Sequence, residues 1–233
     1  MQFLVDAISA LTELVYPRVC PACDGPLENG RKDICVACSV ALPFTDFHLW
    51  DDNPVARHFW GRADVTAATA LLHFQKDGRV QQLLHHLKYK GRKDIGELLG
   101  RMLGAQLQQH PKLSTVSAIL PVPLHPRKQQ RRGFNQSAVI AHGIAQVLSV
   151  PVLETVLLRQ VHTSSQTRKG RLQRWSNVDG KFGLQHTDQI AGFHVLVVDD
   201  VITTGATLEA CIQLLQQVPG VRVSVAAAAH AVS

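Results

Sequence analysis

Apolar residues recur along this chain first at helical and later at alternating strand and helix spacing, with a turn-rich stretch in between. Phe3, Leu4, Ala7, Ile8, Leu11, Leu14 and Val15 fall three or four positions apart, which predicts an amphipathic helix over residues 1–16. That stretch has no basic start and carries Asp6 and Glu13, so it does not read as a signal peptide. Residues 20–38 hold Pro21, Gly25, Pro26 and Gly30 and are too few to build a core. Residues 42–64 scatter aromatic side chains among polar ones and read as a linker or an irregular packing segment. A strand is predicted over 65–74, a turn at Lys76-Asp77-Gly78, and a helix through Val80, Leu83, Leu84 and Leu87. Asp94 with Glu97 three residues on resembles a capping box for a second helix, which Pro111 ends.

Strands and helices then alternate. Strands are predicted over 116–122, 152–158, 194–198 and 221–227, and helices over 138–148 and 206–218. Residues 194–198 are apolar on both faces, as buried parallel strands are. This order predicts an α/β fold with a parallel, doubly wound sheet, whose ligands sit at the carboxyl ends of the strands. The chain divides into residues 1–64, a small N-terminal module and linker, and residues 65–233, the sheet domain.

Composition narrows the picture. Of 233 residues, 45% are hydrophobic and 18% charged, which is ordinary for a globular chain and argues against disorder. No apolar run reaches the roughly 18–20 residues of a membrane span, and a cytoplasmic location is expected. The formal charge of +6 suits phosphate-rich ligands or nucleic acid without proving either.

The segment richest in chemistry is Val195-Leu196-Val197-Val198-Asp199-Asp200-Val201-Ile202-Thr203-Thr204-Gly205-Ala206-Thr207. Two adjacent acids at the end of an apolar strand repel each other and are costly unless something satisfies them. A ribose 2,3-diol offers two O–H donors to such carboxylates. The turn after them opens a helix, so its amides and threonine hydroxyls favour an anion, and Gly205 permits close approach or a positive φ. The pattern therefore suits the two ends of a ribose 5-phosphate. The plainer alternative is a strand end that caps a helix.

Three basic stretches accompany it. Arg127, Lys128, Arg131 and Arg132 precede Gly133, Phe134, Asn135 and Gln136 in what reads as a loop; Arg132 suits bidentate phosphate contact and Gly133 lets the backbone approach. Residues 159–181 are polar and lack apolar period, a solvated loop or a functional one. Lys88, Lys90, Arg92 and Lys93 beside Tyr89 form either a solvated cluster or a grip on a single strand of nucleic acid.

Cys20 and Cys23, then Cys35 and Cys38, form two Cys-x-x-Cys pairs. Four thiolates close a tetrahedral zinc site with no open position, so a structural zinc is expected, with an iron–sulfur cluster or redox pairs as alternatives. Cys211, alone in a helical stretch, reads as a small buried hydrophobe.

Residues 195–207 resemble the phosphoribosyl-pyrophosphate motif of type I phosphoribosyltransferases, with Ala206 where many members have a second glycine. The wider chain resembles the ComF family, which includes proteins called GntX. That likeness rests on Leu87-Lys88-Tyr89-Lys90-Gly91-Arg92, on Pro121-Val122-Pro123-Leu124-His125, on Arg131-Arg132-Gly133-Phe134-Asn135-Gln136, and on the four cysteines. It implies a type I phosphoribosyltransferase-like domain behind a small zinc module, with a part in DNA uptake, competence or use of external DNA. It implies catalytic roles for Asp199, Asp200 and Arg132. Ligand contacts would come from Val201, Thr203, Thr204, Gly205, Ala206, Thr207, Gly133 and Asn135. Mg²⁺ would accompany phosphoribosyl pyrophosphate or a nucleotide, and residues 159–181 would be the lid. Whether the chain transfers the sugar, or only binds nucleotide and single-stranded DNA beside competence-machinery proteins, stays open.

Overall fold

The computed structural model describes residues 18–27, 33–160 and 181–231. The helix expected over residues 1–16 and residues 161–180 of the expected lid lie outside them.

Four parallel strands form the central sheet in the order β1-β6-β5-β2. They are β1 (Ala68–Phe74), β2 (Ala118–Pro121), β5 (His194–Ile202) and β6 (Arg222–Ala231). Leu157–Arg159 (β3) and Phe182–Leu184 (β4) make a separate antiparallel pair. Among the described residues, two helices precede the sheet, α1 (Val36–Val40) and α2 (Pro54–Arg57). Five more follow: α3 (Arg79–Tyr89), α4 (Lys93–Gln109), α5 (Pro126–Arg132), α6 (Gln136–Leu148) and α7 (Ala206–Leu215).

Alternation along β5 sends Leu196 and Val198 into one apolar cluster and Val195 and Val197 into another. The first cluster takes in Leu99 and Leu103 of α4 and Ile140 and Ile144 of α6, the second Leu208, Ile212 and Leu215 of α7. Burial on both faces is why these strands read as continuous apolar runs. Helices α4 and α6 touch backbone to backbone: a Cβ built on Gly143 would lie 2.4 Å from the Glu97 carbonyl oxygen and 2.9 Å from Gly100 Cα.

Several expected boundaries shift. The strand expected over 152–158 is not part of the main sheet: Val152 makes a single parallel bridge to Ile119, the chain turns, and only Leu157–Arg159 is extended. Asp94 does not cap α4. The helix starts at Lys93, and Arg92 holds the Asp94 carboxylate at 2.7 Å and 2.9 Å, so no capping box forms. The basic stretch expected as a loop is helix α5, with Pro126 in its first turn. His125 Nδ1 accepts from the Arg127 amide at 3.2 Å, and Gly133 ends the helix at φ 84°. Helix α6 begins two residues earlier than its apolar period, because the Asn135 side chain caps it.

Residues 42–64 are the irregular packing segment of the two readings. Phe47, Val55 and Phe59 are buried in the second apolar cluster beside β1, and buried Asn53 donates to the carbonyls of Phe47, Trp50 and Ala68 while capping α2. Among the described residues, no helix is long and apolar enough to cross a membrane.

Candidate functional site

Strand β2 ends at Pro121, opposite Val198, and β5 runs on for four residues past that register. Asp199 and Asp200 are the first two residues of this overhang, at the carboxyl end of the sheet, where parallel sheets bind ligands. They lie within the strand rather than beyond it.

Asp199 is partly buried, and its Oδ1 accepts from Ser137 Oγ at 2.9 Å and from the Asp200 amide at 2.8 Å. Burial, and then the neighbouring charge of Asp200, push its carboxyl up to about 7. Asp200 is buried, at 7% exposure, and its Oδ2 lies 2.6 Å from Lys88 Nζ. The two groups make a close ion pair, yet among the described residues no donor is aligned on that oxygen as a hydrogen bond requires. That oxygen is enclosed beside the ammonium, so a ligand reaches it only when Lys88 moves aside.

The turn follows at once. Thr203 and Thr204 are exposed, and Gly205 stands at the N-terminus of α7 with φ 74°. Gly205 has no side chain to cap that end, and Thr204 Oγ1 accepts from the Ala206 amide only at 3.5 Å, so the first turn can still offer amides to an anion. A cavity of about 30 Å³ is lined by Asp199, Val201 and residues 202–208. Behind it, a Cβ on Gly205 would stand 3.2 Å from His58 Cβ, so sterics as well as conformation select glycine. His58 Nε2 in turn lies 3.1 Å from His230 Nε2, and burial holds both imidazoles below the usual histidine range.

A second hollow, about 230 Å³, is lined by Lys88, Tyr89, Gly91, Lys128, Arg131 and Arg132. Arg132 bonds to the Gln136 side chain and lies 5.6 Å over the Tyr89 ring. Lys88 lines this hollow and pairs with Asp200, so it joins the basic hollow to the acid pair. Gly133 ends α5 with no atom within 4 Å of its would-be Cβ. Asn135 is buried and occupied within the protein: its Oδ1 accepts from the Ser137 amide at 3.1 Å and its Nδ2 donates to the Val122 carbonyl at 3.0 Å. It therefore fastens the start of α6 to the end of β2, which aims Ser137 at Asp199.

The four cysteines come together, with all four Sγ atoms within 4.8 Å of one another. Cys23 Sγ and Cys35 Sγ are 3.8 Å apart, and a tetrahedron with ~2.3 Å metal–sulfur bonds has edges of about 3.8 Å. The cluster could hold a metal ion. Cys20 and Cys38 are buried in the first apolar cluster, and Gln82 of α3 donates to Asp24 at 2.6 Å, tying the module to the sheet domain. Cys211 is buried, and burial drives its thiol upward, as a packing residue requires.

Sequence reasoning missed Lys88 and Ser137 as parts of the acid site, and His58 and His230 behind the turn. Lys88 stood in a motif quoted for family likeness, but nothing in its spacing connects it to a residue 112 positions later.

A family model described as the phosphoribosyl transferase domain matches residues 135–231. The DNA utilization protein YhgH of Escherichia coli K12 is 30% identical over 222 residues, covering 87% of this chain and 92% of the relative. The chain belongs to the ComF family. Two other relatives of this ComF chain are competence protein F of Haemophilus influenzae and competence protein ComFC of Bacillus subtilis. The first is 31% identical over 139 residues, 58% of this chain and 61% of the relative. The second is 28% identical over 214 residues, 89% of this chain and 82% of the relative. A crystal structure of an adenine phosphoribosyltransferase superposes with a TM-score of 0.41 at 17% identity, covering 63% of this chain and 74% of its own. The ComF chain is thus a competence and DNA-utilisation relative with a phosphoribosyltransferase-type domain on a parallel sheet.

Proposed function

We propose that this protein binds phosphoribosyl pyrophosphate or a nucleotide at the overhang of β5, in a cytoplasmic step of DNA uptake or use. The observation that carries the reading is Asp200. A buried carboxylate whose counter-ion is a lysine on a flexible stem, beside a second acid and a helix N-terminus with glycine at its cap, suits a ligand with a diol at one place and an anion at the other. Asp199 and Asp200 would accept the two ribose hydroxyls. The amides of Thr204 to Thr207, with the threonine hydroxyls, would take the 5-phosphate. Val201 would form the wall between, and the Ala206 methyl would narrow the phosphate end.

Arg132 and the basic hollow would face negative charge leaving C1 of the sugar, stabilising departing pyrophosphate. Gly133 and Asn135 would shape that loop rather than donate to ligand. The acid pair offers hard oxygen donors, which suit Mg²⁺; when bound there with the sugar, that ion would neutralise leaving-group charge. The thiolate quartet is best matched by a structural zinc, which fastens a segment unable to fold by burial alone. Residues 1–64 would then be a stapled appendage of the domain over residues 65–233.

One observation favours a non-catalytic role on single-stranded DNA. Tyr89 is 60% exposed, with His85 at 5.0 Å on one side and Arg132 at 5.6 Å on another, beside a hollow lined by lysine and arginine. An exposed ring among cations is a stacking step for a base.

Calorimetry of phosphoribosyl pyrophosphate with and without Mg²⁺, followed by mass analysis for released pyrophosphate, tests the first reading. Binding that needs Mg²⁺ and falls at least tenfold in Asp200→Asn is expected. Equal binding by parent and variant removes it, and binding without release of pyrophosphate assigns the chain to the non-catalytic role.

A further inference from the structure

We propose that Lys88 determines the specificity of the acid site: its ammonium is a resident cation on Asp200, which turns away a free divalent ion yet yields to a phosphorylated sugar. The proposal rests on the phosphoribosyl reading above and assigns to it a residue outside the acid strand and the turn.

Three observations converge on Lys88. Its Nζ is 2.6 Å from Asp200 Oδ2, and the two side chains are 25% and 9% exposed, so the contact is largely withdrawn from water and poorly screened. The Oδ2 atom is enclosed beside this ammonium, so a ligand hydroxyl can take that oxygen only when the lysine moves away. The same side chain lines the basic hollow with Lys128, Arg131 and Arg132. Leu83, Leu84 and Leu87 bury the face of α3 and fix where the lysine stem starts, while its four-carbon stem lets the ammonium move.

The consequences follow from charge. Adjacent carboxylates attract a divalent cation, and a lysine on one of them cancels part of that field at short range. Consistent with this, the Lys88 charge opposes the rise of the Asp199 carboxyl. When a sugar carrying phosphate enters, the ammonium gains a competing anion on the side of the basic hollow. It can then leave Asp200 to the diol. A metal ion alone offers no such anion, so the ammonium stays on Asp200 and weakens the attraction that the ion meets. The lysine therefore couples occupation of the acid pair to the presence of phosphate.

The probe for the test is Mn²⁺ without sugar, titrated by electron paramagnetic resonance into zinc-loaded full-length protein. Parent and Lys88→Arg should bind Mn²⁺ weakly at this site. Lys88→Met should bind it roughly tenfold more tightly or better, and adding Asp200→Asn to Lys88→Met should abolish the gain, which assigns it to the acid pair. Lys88→Gln, with a shorter polar chain, serves if the methionine variant does not fold. Folded Lys88→Met or Lys88→Gln with parental Mn²⁺ affinity overturns the proposal. A parent that fails to bind phosphoribosyl pyrophosphate with Mg²⁺ sinks the phosphoribosyl reading instead, and the two failures are read in separate titrations.

Discussion

Replacing Asp199 by asparagine should flatten part of the stability–pH curve, and the sign is fixed by the environment of the carboxyl. Burial and the charge of Asp200 raise it to about 7 from an ordinary value of 3.8. Between those limits the folded chain binds a proton that the unfolded chain has lost. Stability therefore falls as pH rises through this window, by up to about 1.36 kcal/mol per pH unit from this group. The deficit is absent below the unfolded value and complete above the folded one. Partial solvent access and the nearby ammonium reduce it, so a net change of about 1–2 kcal/mol between pH 5 and 7.5 is expected. Half-buried His58 and buried His194 and His230, all held below the usual range, act oppositely: they favour stability as pH rises toward 7. The raw curve of the parent is thus a sum of opposed slopes, and the difference from Asp199→Asn isolates the carboxyl. Asparagine keeps an oxygen to accept from Ser137 and the Asp200 amide, so little else changes. Urea denaturation of the zinc-loaded protein at several pH values reads the effect. The variant should gain on the parent as pH rises, and two parallel curves would refute the reasoning.

Gly143→Ala should cost about 2–3 kcal/mol by urea denaturation, because its methyl meets backbone atoms of α4 that cannot rotate away; a variant within about 0.5 kcal/mol of parent would mean the helix pair is looser than described. Stripping metal from the cysteine quartet with a strong chelator should expose residues 18–40 to proteases before the sheet domain is cut, and adding zinc back should restore protection. An unchanged cleavage pattern would show that packing of Cys20 and Cys38 suffices without metal.

Elements whose pattern is set by burial alone were legible in the sequence. Strand β5, helix α4 and helix α7 each show their apolar period because both faces of the sheet are covered. The acid pair and its turn were legible because strand, carboxylates and helix start are contiguous, so chain order is also spatial order. The quartet of cysteines was legible because metal ligation leaves a spacing. What stayed hidden depends on tertiary partners. Val152 looked like a central strand residue, but pairing there ends after one bridge. Asp94 looked like a cap, but Arg92 takes its carboxylate. Residues 126–132 carry no apolar face, so no period announces their helix; His125 and Pro126 start it and Gly133 stops it.

The same distinction explains why Lys88 is the informative residue of the site. A motif read along the chain reports groups that one short segment delivers to a ligand. It cannot report a counter-ion supplied by another element, since any lysine at the end of an amphipathic helix looks like a solvated one. Here α3 is held by its leucines so that its one lysine meets Asp200, while Lys90, just past the helix, stays exposed. Carboxylates that must be buried to be selective, and yet stay empty between ligands, require a cation that is close but not committed. An ion pair to an ammonium on a flexible four-carbon stem, which also lines the basic hollow, has that character. A tightly bidentate arginine in its place would satisfy Asp200 fully and compete with any sugar diol, whereas an apolar residue would leave the pair to capture metal.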